Sequence, residues 1–189
     1  MIKIGILAVQ GAFIEHQAML KKFGVDSFEI RQKKDLNQQM DGLILPGGES
    51  TTMGKLLHDL DMFEDLKSRI QQGLPVFGTC AGMILLAKSL TNQEIVHFGV
   101  MDIAVERNAY GRQLGSFFIQ AEFNQKEIPM TFIRAPYIAS YHHDVKILSV
   151  VQGRVVAARQ KNMLATAFHP ELTESTYVHE YFIQMIHEK

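Results

Sequence analysis

The chain has 189 residues, 47% of them hydrophobic, and its 19 basic and 20 acidic side chains give a formal charge of -1. That length and apolar content can bury a sizeable core as one domain over residues 1–189, and the near-neutral charge excludes the basic excess of a nucleic-acid surface. The one cysteine excludes an internal disulfide and fits a reducing, cytoplasmic compartment.

In chain order, Ile4 to Val9 is a continuous apolar run ended by Gln10-Gly11, as expected of a strand buried on both faces. With Lys3 interrupting it, the N-terminal run is too short to span a membrane and reads as the first strand of a soluble protein. A helix is predicted from about Ala12 to Phe23, then strands over Ser27 to Arg31 and Gly42 to Leu45, the latter cut off by Pro46-Gly47-Gly48. Asp61 is placed to cap a helix whose apolar positions Met62, Phe63, Leu66 and Ile70 follow a helical period, with Gly73 and Pro75 ending it. Val76 to Gly78 is the next strand and Ala81 to Leu90 the helix behind it. Alternation of this kind predicts an α/β fold: a three-layer, doubly wound, mostly parallel sheet.

The helical period is then lost. Short apolar runs recur at Asp102 to Val105, Ser116 to Ala121, Thr131 to Ile133, Val145 to Val151, Arg154 to Arg159 and Leu164 to Phe168. Gln152-Gly153 and Lys161-Asn162 are hairpin-type connectors, so these runs read as antiparallel strands added to the sheet. A last helix carries Val178, Tyr181, Phe182, Met185 and Ile186 on one stripe. The ten methionines fall mostly among apolar neighbours and read as core filler.

Three segments carry chemistry. Cys80 sits in Gly78-Thr79-Cys80-Ala81-Gly82 between a strand and a helix, the turn that lifts a nucleophile out of a sheet and aims helix amides at its target. A buried, inert cysteine is the bland alternative. Far downstream, Pro170 in Phe168-His169-Pro170-Glu171 pushes His169 towards extended backbone, so that Glu171 can accept from one imidazole nitrogen and leave the other to take the Cys80 proton. A surface His-Pro turn with an unrelated core cysteine competes with this. In Pro46-Gly47-Gly48-Glu49-Ser50 the paired glycines allow a backbone amide to face a developing oxyanion, with the Ala81 amide as second donor. Equally, the loop is a tight turn with Ser50 or Thr51 capping the next helix. The missing G-x-x-x-x-G-K-[ST] pattern, with Lys55 too late in the segment, disfavours a phosphate loop.

Together these three segments resemble the class I, triad-type glutamine amidotransferases, with their flavodoxin-like fold. Leu7-Ala8-Val9-Gln10-Gly11 with Glu15-His16, Glu106 to Gln113, and Phe132-Ile133-Arg134-Ala135-Pro136 closely resemble the glutaminase subunits of pyridoxal 5'-phosphate synthases. The resemblance implies hydrolysis of L-glutamine to glutamate, with the ammonia passed to a separate barrel-shaped synthase subunit that builds the vitamin B6 cofactor. It implies that Cys80 attacks the amide, His169 protonates the leaving ammonia and Glu171 orients His169. It also implies that Gly47, Gly48 and Glu49 line the substrate site, that Arg107, Ile133 and Arg134 help to recognise glutamine, and that Gly48 and Ala81 form the oxyanion hole. An ordinary surface ion pair is the bland reading of Arg107 and Arg134. Gln10 and His16 are placed at the partner interface. Tyr137 to Val145, with His142-His143, matches no motif of the family and takes no role. No cofactor and no metal are expected. A cysteine-dependent hydrolase or stress protein on a similar scaffold, and a protein that kept the fold but lost its chemistry, are the competing functions.

Overall fold

The computed structural model describes residues 2–91, 93–107 and 115–188. Its first half alternates β1 (Lys3–Leu7), α1 (Phe13–Lys21), β2 (Asp26–Ile30), β3 (Gly42–Leu45), α2 (Ser50–Asp59), α3 (Phe63–Gln71), β4 (Val76–Thr79) and α4 (Ala81–Leu86). Strands follow: β5 (Ala87–Leu90), β6 (Met101–Glu106), β7 (Ser116–Phe123), β8 (Lys126–Ile133), β9 (Tyr137–Tyr141), β10 (Lys146–Val151), β11 (Arg154–Gln160) and β12 (Met163–Thr166). Helix α5 (Tyr177–His187) comes last.

The main sheet runs in the order β2-β1-β3-β4-β12-β11-β9-β6-β5, with β10 paired to β11. From β2 to β12 every pairing is parallel. Beyond β12 the strands turn antiparallel through β11, β9 and β6, and β5 returns parallel to β6. The parallel part is a doubly wound sheet whose order changes direction at β1 and β3, and ligands in such sheets bind outside the carboxyl ends of the strands at that point. Its central strands are fully buried, β3 and β4 at all four residues, which is why they read as unbroken apolar runs.

Helices cover both faces. On one, Phe77 of β4 meets His16 of α1, and His179 and Phe182 of α5. On the other, next along β4, Gly78 lies against Gly82 of α4, which in turn packs on β3 and α2. The stripe of α5 is buried as its period predicts, and Met19, Met53, Met62, Met83 and Met185 all lie in the core.

Five expectations need correction. The helix from Ala81 stops at Leu86, because Ala87 turns to extended backbone and β5 pairs with β6, Lys88 bonding Asp102 at 2.6 Å; pairing across the sheet overrides local helix preference. Asp61 does not cap α3: its φ is 53° and its carboxylate pairs with Lys33. β7 and β8 form a ribbon of their own instead of extending the main sheet. The run Leu164 to Phe168 gives β12, which is no added antiparallel strand but pairs parallel with β4 inside the sheet and antiparallel only with β11. Strand β9, where no strand is expected, joins β6 to β11. The hairpin connectors are as read, with Gln152, Gly153 and Lys161 all at positive φ.

Candidate active site

Strands β4 and β12 are parallel neighbours with Thr79 opposite Thr166, so the residues that follow them emerge at the same sheet edge. The Cys80 amide donates to the Thr166 carbonyl at 2.7 Å, holding the turn against the end of β12. At φ 50° and ψ -100°, Cys80 occupies a conformation that L-residues rarely adopt, the strained elbow expected of a nucleophile at a strand-to-helix turn. Gly82 makes the elbow possible, since any Cβ there would overlap the Leu45 carbonyl.

His169 is anchored by its amide, which donates to the Thr131 carbonyl of β8 at 2.8 Å. Its Nδ1 lies 2.6 Å from Glu171 Oε1, and the ring lines the same cavity as Cys80, whose sulfur is near enough to raise the pKa of the imidazole. Cys80, His169 and Glu171 are all buried. Burial pulls the His169 pKa down, but the hydrogen bonds to Cys80 and Glu171 outweigh it and the pKa is pushed up to about 10. At neutral pH the imidazole therefore holds a proton, which it can give to a leaving nitrogen. The local backbone differs from expectation: Pro170–Leu172 is a 3-10 turn, not an extended stretch. Pro170 keeps His169 itself out of the helical region, and the turn then brings Glu171 back under the ring.

A cavity of about 550 Å³ opens over this edge, within the usual range for small-molecule sites. Cys80, His169, Gly47, Gly48, Glu49 and Ala81 line it, as do Arg107, Ile133 and Arg134. Glu171 lies behind His169 and is not part of the lining. The Gly47 carbonyl accepts from the Ala12 amide at 2.9 Å; in a planar trans peptide the Gly48 N–H points the opposite way. The Ala81 N–H is in the first turn of α4, where the helix supplies no acceptor.

Glu49, not Ser50 or Thr51, caps α2. Its carboxylate accepts from the Thr51 and Thr52 amides at 3.1 and 2.7 Å and from the Thr52 hydroxyl at 2.7 Å. Arg107 Nη2 donates to the same carboxylate at 3.2 Å, and Nη1 to Gln93 Oε1 at 2.7 Å. Partial burial opposes ionisation of Glu49, yet the Thr52 and Thr51 hydrogen bonds and the Arg107 charge leave its pKa lowered. Arg107 is thus oriented at the cavity rim by Glu49. Arg134 is held at φ 44° beside it, immediately after Ile133, whose carbonyl is 4.0 Å from the Cys80 sulfur.

Expectation and structure part at two histidines. His16 is completely buried, with Nδ1 2.9 Å from His179 Nε2, Nε2 3.2 Å from the Thr79 hydroxyl and 3.6 Å from Glu171 Oε2. No partner interface can reach it. His179 has no counterpart in the sequence reading; the available signal was a histidine on each apolar stripe, next to Val178 on α5 and three residues before Met19 on α1. Gln10 lines the cavity and its Oε1 accepts from the Glu49 amide at 2.8 Å. The segment 108–113 of the quoted motif lies outside the described residues. Away from the cavity lining, Asp102, His142 and Asp144 place ligand-type atoms within 4.8 Å of one another. Gln160 Nε2 donates to both carboxylates and Lys88 to Asp102, so these oxygens already have protein partners.

A model of the SNO glutamine amidotransferase family matches residues 6–188. The chain belongs to that family. Among curated proteins it is 58% identical to "Pyridoxal 5'-phosphate synthase subunit PdxT" of Streptococcus pneumoniae (strain CGSP14), covering 100% of this chain and 99% of the other. It is 57% identical to the protein of the same name from Haemophilus influenzae (strain PittEE), over 97% and 98%. A crystal structure of a glutamine amidotransferase superposes with a TM-score of 0.92 at 40% identity, covering 97% of this chain and 98% of the other. A further glutamine amidotransferase crystal structure, from Thermotoga maritima, superposes with a TM-score of 0.62 at 12% identity, covering 99% of this chain and 85% of the other. At that identity the likeness concerns the fold alone.

Proposed function

We propose that the chain is a single glutaminase domain, cytoplasmic, that hydrolyses L-glutamine and supplies ammonia to a barrel-shaped pyridoxal 5'-phosphate synthase subunit. The observation that carries this reading is the imidazole of His169 set between the Cys80 thiol and Glu171 at the floor of the cavity. Family membership and the names of the full-length relatives support the substrate and the partner. One hydrophobic cluster running through the sheet and its helices supports the single domain. No helix among the described residues is long and apolar enough to cross a membrane.

In the proposed reaction, the Cys80 proton already rests on His169 Nε2 when Cys80 Sγ attacks the side-chain amide carbon of glutamine. The amide oxygen becomes an oxyanion facing the Gly48 and Ala81 N–H groups. Collapse breaks the C–N bond while His169 returns the proton to the leaving nitrogen, giving ammonia and a γ-glutamyl thioester on Cys80. Water, deprotonated by His169, then hydrolyses the thioester to glutamate and the free thiol. Glu171 keeps the proton on Nδ1 throughout, so that Nε2 does the transfers. Arg107 and Arg134 are suited to the α-carboxylate of glutamine, because a guanidinium fork matches a carboxylate. With its carboxylate already committed to the α2 cap, Glu49 acts on the substrate mainly by orienting Arg107.

Free glutaminase activity would waste glutamine, and the two-glycine loop is a cheap place for a partner to complete the site. The test is glutamate and ammonia release by the full chain with and without the synthase subunit. We expect low turnover alone and a clear rise on addition; equal rates would remove the docking control, and no glutamate release in either case would remove the glutaminase reading.

A further inference from the structure

Behind Glu171 the protein buries two imidazoles that the proposed reaction does not use. His16 of α1 and His179 of α5 are both completely inaccessible, and Phe77 packs edge-on against each ring. Glu171 gives Oε1 to His169, while Oε2 is buried with no hydrogen-bond partner. The polar atom that faces Oε2 is His16 Nε2 at 3.6 Å, too long for a hydrogen bond but close for a charge and an N–H dipole.

The protons in this pair can be placed by elimination. Of His16 Nδ1 and His179 Nε2, 2.9 Å apart, one must donate and the other accept. If His16 Nδ1 carried the proton, His179 would carry its own on Nδ1, an atom that is buried without a partner. An N–H donor would then be stranded, and the bare His16 Nε2 would turn its lone pair on the Glu171 carboxylate. With the protons on both Nε2 atoms, His179 donates to His16, and His16 presents an N–H to Glu171. Thr79 Oγ1, 3.2 Å from His16 Nε2, can donate or accept and so does not choose. Both rings are held neutral: burial first, and then the repulsion that His179 and His169 would exert on a second cation, keep the His16 pKa well below its ordinary value, and burial with Lys22 pushes that of His179 down to about 3.

We infer that His16, fixed by His179, is a positioning residue for this active site: its Nε2–H dipole, lying between Thr79 Oγ1 and the second oxygen of Glu171, attracts that oxygen across 3.6 Å, so that the first stays aligned on His169 Nδ1. The inference rests on the glutaminase reading for its kinetic consequence, but the proton placement stands apart from it. It explains why two polar rings occupy the α1–α5 contact, where apolar side chains would pack at lower desolvation cost.

Two measurements on the full chain test it. Nitrogen-15 NMR of the native protein should show both His16 and His179 protonated at Nε2 and bare at Nδ1; a proton on His16 Nδ1 would overturn the inference whether or not the protein folds after mutation. With the synthase subunit present, His16→Leu should lower kcat for glutamine about 10- to 100-fold, the loss typical when a group orienting a functional side chain is removed, with KM within about twofold. His16→Gln, which keeps an N–H near the Nε2 position, should recover most of that loss. His16→Leu at the native kcat, or His16→Gln no better than His16→Leu, would refute the positioning role. If the native chain failed to release ammonia from glutamine, the glutaminase reading would fall, and the NMR result would still decide the donor.

Discussion

Gly47 shows how tightly single residues define this site. A Cβ built there runs into the His169 ring, so the loop and the imidazole can share the cavity floor only because position 47 has no side chain. Gly47→Ala must displace either the ring from Cys80 or the peptide that carries the Gly48 N–H. We predict a fall in kcat on the order of 100- to 1,000-fold, the size of losing one oxyanion donor, with the thermal midpoint little changed; steady-state glutaminase assays and a circular-dichroism melt check both. At this scale the sequence was readable where chemistry leaves a local mark. Cys80 was visible through its flanking glycines and His169 through the proline after it. His16 and His179 were not, because a histidine on an apolar stripe looks the same whether it meets a partner protein or a buried carboxylate, and only the packing of α1 on α5 tells them apart.

Among the elements, α2 ties fold to site most directly. Glu49 ends the glycine loop, caps α2 with both carboxylate oxygens and orients Arg107 from the same position. Glu49→Ala should therefore cost about 1 kcal/mol of stability, as other side-chain caps do, and also raise KM for glutamine more than it lowers kcat. Urea unfolding and steady-state kinetics separate the two effects. From sequence, Ser50 and Thr51 were the natural caps, and the residue that caps the helix stood one position earlier as a substrate contact. The strand after Leu86 was hidden for a similar reason: Ala87 to Leu90 continues a helical pattern, and its true partner, β6, lies across an intervening loop. By contrast, β3, β4 and α5 were legible nearly to the residue, since burial on both faces or along one stripe is decided locally.

For the whole molecule, the parallel half of the sheet is what assembles the site. It sets β4 beside β12, and so turns two distant stretches of chain into neighbours whose ends deliver Cys80 and His169 to one edge. Alternating strands and helices announce that half except β12, whose run sits among those that read as antiparallel additions. From sequence the ribbon of β7 and β8 looks like more of the same sheet, because strand pattern alone does not say which strand pairs with which. Yet β8 matters to the site, since its Thr131 carbonyl holds the His169 backbone.

The central claim is that Cys80 is the nucleophile. Rapid quenching of the chain and its synthase partner during turnover of glutamine, followed by peptide mass mapping, tests it most directly. We predict a glutamyl adduct on the Cys80 peptide, and neither adduct nor ammonia release from Cys80→Ala. Ammonia release by Cys80→Ala at the native rate, or turnover with the adduct on another residue, would contradict it.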